Sequence, residues 1–116
     1  MHESSIARAI LDKSNDVKNK ENMKNIKSVK ILVGKLHSIV TDVLVNLYDI
    51  MKSFYNGFEN SVLIIEERNV KIRCKGCSAI STLDSPFFLC PLCGSNDTEL
   101  IEGNEMLILS IEGEIE

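Results

Sequence analysis

The sequence predicts an α+β fold: two helices on a three-stranded sheet, with a Cys₄ zinc-ribbon-like lobe inserted ahead of the last strand. Three observations carry this. Two segments repeat apolar residues at helical spacing, and three short runs read as strands. All four cysteines fall as two Cys-x-x-Cys pairs between the last two of those strands.

Over 4–18, Ile6, Ile10 and Val17 form one helical stripe, with Arg8, Lys13 and Lys18 largely off it. Residues 15–25 are polar and rich in Lys and Asn, so the helix is expected to fray into a loop there. Over 27–34 the pattern alternates. Val29, Ile31 and Val33 face one way, Lys30 and Leu32 the other, and Gly34 ends the strand.

The clearest helix follows. Val40, Val43, Leu44, Leu47, Tyr48, Met51 and Phe54 keep the i, i+3, i+4, i+7 rule, from near Ser38 or Thr41 to Asn56-Gly57. Its apolar stripe is wide, though one small core can absorb it. Residues 61–66 and 106–111 are near-continuous apolar runs and read as strands buried on both faces. The expected division is an α/β lobe of residues 1–67 and 104–116, with an insert of residues 68–103. The insert is too short to hold a core by itself.

Composition bounds the function. The chain is 44% hydrophobic and 26% charged, the balance of a globular protein. No apolar run approaches the roughly 20 residues that span a bilayer, so no membrane role is expected. The start, Met1-His2-Glu3-Ser4-Ser5, lacks the basic and then apolar pattern of a secretory signal, and the expected location is the cytoplasm. Cytosolic thiols stay reduced, which favours metal over disulfides for paired cysteines.

The insert reads Cys74-Lys75-Gly76-Cys77, twelve residues, then Cys90-Pro91-Leu92-Cys93-Gly94. Each pair suits a tight knuckle that points two sulfurs at one ion. Pro91 presets φ, and Gly94 permits the positive φ that follows. Two knuckles on a β-hairpin supply a tetrahedral Cys₄ set for Zn²⁺. Thiolate binding of zinc is worth about 10–16 kcal/mol in small peptides, enough to fold a short lobe. Disulfides, a rubredoxin-like iron and a redox pair remain as alternatives for the same residues. With four protein ligands the site is closed, so a structural ion is expected rather than a catalytic one.

A nucleic-acid role is not expected. Residues 74–116 hold one base, Lys75, against eight acids, and phosphate contacts need a basic surface. Phe87-Phe88 is expected to pack the hairpin rather than stack on bases. No nucleophile–base constellation and no phosphate-cradling glycine motif is present, so no enzyme is expected.

At the other end, His2 lies within chelate reach of the Met1 α-amine. The amine, the imidazole and the intervening backbone nitrogens can surround one ion with nitrogen donors in a plane. Ni²⁺ and Cu²⁺ favour that arrangement and Zn²⁺ does not.

The full length resembles the HypA family of hydrogenase nickel-incorporation proteins. The resemblance rests on Met1-His2-Glu3 and on Ile31-Leu32-Val33-Gly34-Lys35-Leu36. It continues through the two Cys-x-x-Cys pairs preceded by Phe87-Phe88-Leu89, and Gly103-Asn104-Glu105-Met106. It implies a nickel metallochaperone whose Ni²⁺ ligands are the Met1 amine, the His2 imidazole and backbone nitrogens of His2 and Glu3. It implies structural Zn²⁺ on Cys74, Cys77, Cys90 and Cys93. The implied partners are the maturation GTPase HypB and the hydrogenase large subunit, with urease maturation factors as a further candidate. Ser4, Lys35 and His37 depart from the family pattern, and His37 is expected to be an exposed loop residue. The competing reading is a zinc-ribbon interaction adaptor that handles no second metal.

Overall fold

The computed structural model describes residues 2–83 and 89–116. Met1 and the Phe87-Phe88 pair therefore lie outside the described residues. The element order is α1 (Glu3–Lys20), β1 (Met23–Gly34), α2 (Thr41–Met51), β2 (Val62–Arg68), β3 (Val70–Cys74), β4 (Ile80–Leu83), β5 (Thr98–Glu102) and β6 (Met106–Ile115). Short 3₁₀ turns at Lys35–His37 and Lys52–Phe54 flank α2. The fold is α+β, as the sequence predicts. The strands form two three-stranded sheets, in the orders β2-β1-β6 and β4-β3-β5.

The chain divides into two compact units. The first holds Met1–Ile31, Ile39–Glu66 and Leu107–Glu116, and the second holds Leu32–Ser38 and Glu67–Met106.

In the first unit, α1 runs through the polar stretch expected to fray. Its last turn carries Lys18 and Lys20, which suit the negative end of the helix dipole. The Glu21 N–H bonds the Val17 carbonyl at 2.9 Å, and Asn22 then leaves the helix at φ 52°. Lys18 is buried rather than off the stripe, its stem lying against Gly57. The buried stripe is Ile6, Ala7, Ile10, Leu11, Ser14 and Lys18, while Val17 is only half-buried.

Helix α2 packs on α1 and buries only Leu44 and Tyr48 completely. It ends at Met51, short of Asn56-Gly57. Ser61 ties the following loop to it. The Ser61 hydroxyl donates to the Phe58 carbonyl at 2.7 Å and is left to accept from the Tyr48 hydroxyl at 2.8 Å. Lys52 Nζ donates to the Ser61 carbonyl at 2.8 Å.

Two strand readings are corrected. Strand β2 buries Leu63 but exposes Val62 and Ile64, and β6 buries none of Met106 to Ile111. Both strands lie at the edges of their sheet. An apolar run marks a strand, but it does not say that both faces are covered. By contrast, β1 buries Val29, Ile31 and Val33, and Leu32 as well.

Candidate metal centre

In the second unit, β3 pairs antiparallel with β4, with Ile72 opposite Ser81, and with β5, with Cys74 opposite Thr98. Val70, Ile72 and Cys74 alternate on the buried face of β3, and Cys90 is buried too. Two of the four metal-ligand candidates thus belong to the small core itself. The sheet carries the first knuckle at the end of β3, and the second knuckle lies just before β5.

The two knuckles share one hydrogen-bond plan. In the first, the Cys74 N–H donates to the Ala79 carbonyl at 2.9 Å and the Ser78 N–H returns to the Cys74 carbonyl at 2.8 Å. In the second, the Cys90 N–H donates to the Ser95 carbonyl at 2.9 Å and the Gly94 N–H returns to the Cys90 carbonyl at 2.8 Å. The Lys75 N–H donates to the Asp97 carbonyl at 2.9 Å and links the first knuckle to the approach of β5. Gly94 has φ 75°, as its position after the second pair predicts. The equivalent position of the first knuckle is Ser78, at φ 64°. A serine gives no sequence signal for that conformation, so the reading of the turn residues missed it.

The four sulfurs lie within 4.8 Å of one another, the one such group among the described residues. Cys74 Sγ and Cys93 Sγ are 3.5 Å apart, and Cys77 Sγ and Cys90 Sγ are 3.7 Å apart. Tetrahedral thiolates at about 2.3 Å from one ion stand roughly 3.8 Å apart, so the donor set and its spacing fit a four-coordinate ion such as zinc. The Cys77 N–H points at Cys74 Sγ, 3.4 Å away.

These contacts divide the thiols. The Cys77 amide favours the Cys74 thiolate and holds its pKa down to about 7. The Cys93 and Leu92 amides lower Cys90 in the same way. Cys93 receives help from the Ser95 amide, but its place beside Cys74 pushes it up to about 12. Cys77 has the Ala79 amide, but its place beside Cys90 raises it. Each cross-knuckle pair therefore joins a thiol that ionises more readily to one that ionises less readily.

The electrostatics of the lobe differ from the count over residues 74–116. The second unit carries Lys35, Arg68, Lys71, Arg73 and Lys75 against Glu67, Asp84, Asp97, Glu99, Glu102 and Glu105. Its bases on β2 and β3 meet three of those acids. Arg68 reaches Glu102 and Glu105 at 3.6 Å, Lys71 reaches Glu102 at 3.1 Å, and Arg73 reaches Glu99 at 3.5 Å. The lobe is near neutral and laced with surface ion pairs, not strongly acidic.

At the amino terminus, His2 is exposed and stands at the N-cap of α1 with φ −91° and ψ 142°. Its carbonyl accepts the Ile6 N–H at 3.2 Å. Glu3, half-buried, is the first helical residue. The Met1 amine lies outside the described residues. His37 is half-buried in the 3₁₀ turn, not a free loop side chain. Its Nε2 pairs with the Asn104 carbonyl at 2.8 Å and so carries a proton, while the Leu36 N–H donates to the Gly103 carbonyl at 2.9 Å.

The family model described as hydrogenase/urease nickel incorporation, metallochaperone, HypA matches residues 1–113. The hydrogenase maturation factor HypA of Moorella thermoacetica is 35% identical over 98% of this chain and 100% of its own. That of Aquifex aeolicus is 31% identical over 100% of both chains. The solution structure of the Ni metallochaperone HypA from Helicobacter pylori covers 100% of both chains at TM-score 0.70 and 23% identity, a likeness in fold. The family consists of maturation factors rather than catalysts, and no helix among the described residues is long and apolar enough to cross a membrane. The chain belongs to the HypA family of nickel-incorporation metallochaperones for hydrogenase maturation.

Proposed function

We propose that this chain binds Ni²⁺ through the Met1 amine, the His2 imidazole and the backbone nitrogens of His2 and Glu3. It then helps insert the ion into the hydrogenase large subunit. The observation that carries this reading is the position of His2: exposed, at the N-cap of α1, with the helix starting one residue later. The first N–H groups of a helix have no intrahelical acceptor, so the amides of His2 and Glu3 are not spent on the helix. A ligating amide must lose its proton, and the positive end of the helix dipole favours the resulting anionic nitrogen. A site on a chain end can be presented to a partner and emptied without opening the core.

The four cysteines hold Zn²⁺ as a structural ion in this reading. Their role is to fold a unit whose buried side chains are few, and two of those are ligands. Delivery is assigned to the cytoplasm, with HypB supplying the GTP hydrolysis for which this chain has no motif. Urease maturation factors are a second candidate destination, since the family model covers both enzymes.

Native mass spectrometry on untagged protein with added nickel tests the reading. The expected result is one zinc plus one nickel on the wild type, and zinc alone on His2→Ala. One zinc and no nickel on either would leave a zinc-stapled interaction adaptor in its place.

A further inference from the structure

Lys18 is the one lysine that the fold buries. It is 8% exposed, and its side chain has no hydrogen bond and no ion pair among the described residues. Gly57, at φ 88°, makes room for it. A Cβ on Gly57 would stand 2.5 Å from Lys18 Cε and 3.4 Å from its Nζ, with the Lys24 carbonyl oxygen 3.2 Å from the same point. The ammonium therefore arrives where Gly57 meets the start of β1. Gly57 and Lys24 both line a cavity of about 430 Å³ in the first unit. Covering an ammonium without a counter-charge is costly, and buried charges are normally paired. We propose that this cavity binds a phosphate group, with Lys18 and Lys24 as its charged ligands.

The polar groups of the wall divide into spent and free. Lys27 pairs with Glu114 at 3.1 Å, and Asn25 Oδ1 accepts the Glu114 N–H at 3.2 Å. Glu59 accepts the Gly57 N–H at 3.3 Å. The Lys24 ammonium and the Asn56 and Asn60 carboxamides are exposed and have no partner among the described residues. With Lys18, the free set is two cations and two amide donors, drawn from α1, β1 and the loop before β2. A phosphate presents oxygens in four directions and so suits donors from separate elements, and lysine serves it as a point charge. A carboxylate offers two oxygens in one plane and would leave part of the set idle.

Size and charge narrow the ligand. The cavity lies within the roughly 300–1,000 Å³ of small-molecule sites, so it admits a small phosphorylated molecule as well as the free ion. Glu59 and Glu114 on the same wall repel an extended polyanion, which favours a compact one. The site is also remote from the proposed nickel ligands. At 1.5 Å per residue, Lys18 stands about 22 Å along α1 from Glu3. A phosphate held here leaves the amino terminus free.

Titration of inorganic phosphate into untagged, zinc-loaded full chain tests the site, followed by amide chemical shifts, with ionic strength held constant by chloride. No nickel is present, so the outcome does not depend on the nickel reading. The expected result is saturable shifts at Lys24, Gly57 and Asn60 with a Kd of about 1 mM or tighter. Lys18→Met keeps the stem that packs on Gly57, and it should weaken binding at least about tenfold. Lys24→Gln changes an exposed side chain, should keep the wild-type melting curve and should also weaken binding, so it serves if Lys18→Met disturbs the fold. Pyrophosphate binding more tightly than phosphate would identify a phosphorylated molecule as the ligand, and equal binding would identify the free ion. The absence of saturable shifts at these amides up to roughly 50 mM phosphate overturns the proposal, as does undiminished affinity in both Lys18→Met and Lys24→Gln.

Discussion

Ser78 and Gly94 occupy the same place in the two knuckles, four residues after the leading cysteine, at φ 64° and 75°. Each donates its N–H to the carbonyl of that cysteine at 2.8 Å. A left-handed residue closes each turn so that both sulfurs of the pair face one point. Only one of the two is a glycine. Ser78→Gly should therefore stabilise the zinc-loaded protein by about 1 kcal/mol, and Gly94→Ala should destabilise it by about the same amount. A Cβ on Gly94 would meet nothing within 4 Å, so its cost is conformational alone. Chemical denaturation of both variants at saturating zinc checks the pair.

Gly34 makes a different demand. A Cβ there would collide with the backbone of Gly103 and Asn104, which have no flexible end to move away. The Gly34 N–H also donates to the Glu105 carbonyl at 2.8 Å. Gly34→Ala should cost at the upper part of the 1–3 kcal/mol typical of overpacking, or about 3 kcal/mol, read as a lowered denaturation midpoint. Gly94→Ala, with open space around it, is the control for a simple loss of glycine.

Tyr48 tests the first unit. Burial raises its pKa, and its hydroxyl has Ser61 as partner. Tyr48→Phe removes the donor and leaves Ser61 bonded to Phe58, so it should cost about 1 kcal/mol. Ser61→Ala strands the buried tyrosine hydroxyl and should cost about 1–3 kcal/mol. The double variant should cost less than the sum, because the two share one interaction.

Much of this was legible in the sequence and some was not, for physical reasons. The cysteine spacing announces the metal centre because a tetrahedral ion needs two knuckles. Period-3.6 patterning announces both helices. The extent of α1 was hidden because Lys and Asn are tolerated in a helix when a stem such as Lys18 can be buried. The sheet β4-β3-β5 goes beyond the hairpin that the knuckle spacing implies. Yet Val70, Ile72 and Cys74 alternate with Lys71 and Arg73 in plain view. Edge position cannot be read from Val62 or Leu107, since an apolar strand looks the same with one face covered or two. Ser78 carried no signal at all.

Proton release reports on the cysteines. In the ion-free protein Cys77 and Cys93 are raised, while Cys74 is lowered to about 7 and Cys90 is also lowered. At pH 8 the two raised thiols keep their protons, so zinc binding should expel at least about two protons per ion, and more as pH falls through the value near 7 of Cys74. Because the ion competes with those protons, zinc affinity should rise with pH. Calorimetry in two buffers of different ionisation enthalpy counts the protons. A count near zero would mean that all four thiols are already ionised.

The nickel site depends on a free α-amine. One glycine added before Met1 turns that amine into an amide while leaving His2, α1 and the cysteines unchanged. Isothermal titration of Ni²⁺ into zinc-loaded wild type and this extended chain is the most direct measurement. The extension is expected to weaken nickel binding by about 100-fold or more at equal zinc content, since losing a ligand costs at least as much as the roughly 10–100-fold of losing a group that only supports one. Equal nickel affinity in the two chains would contradict it.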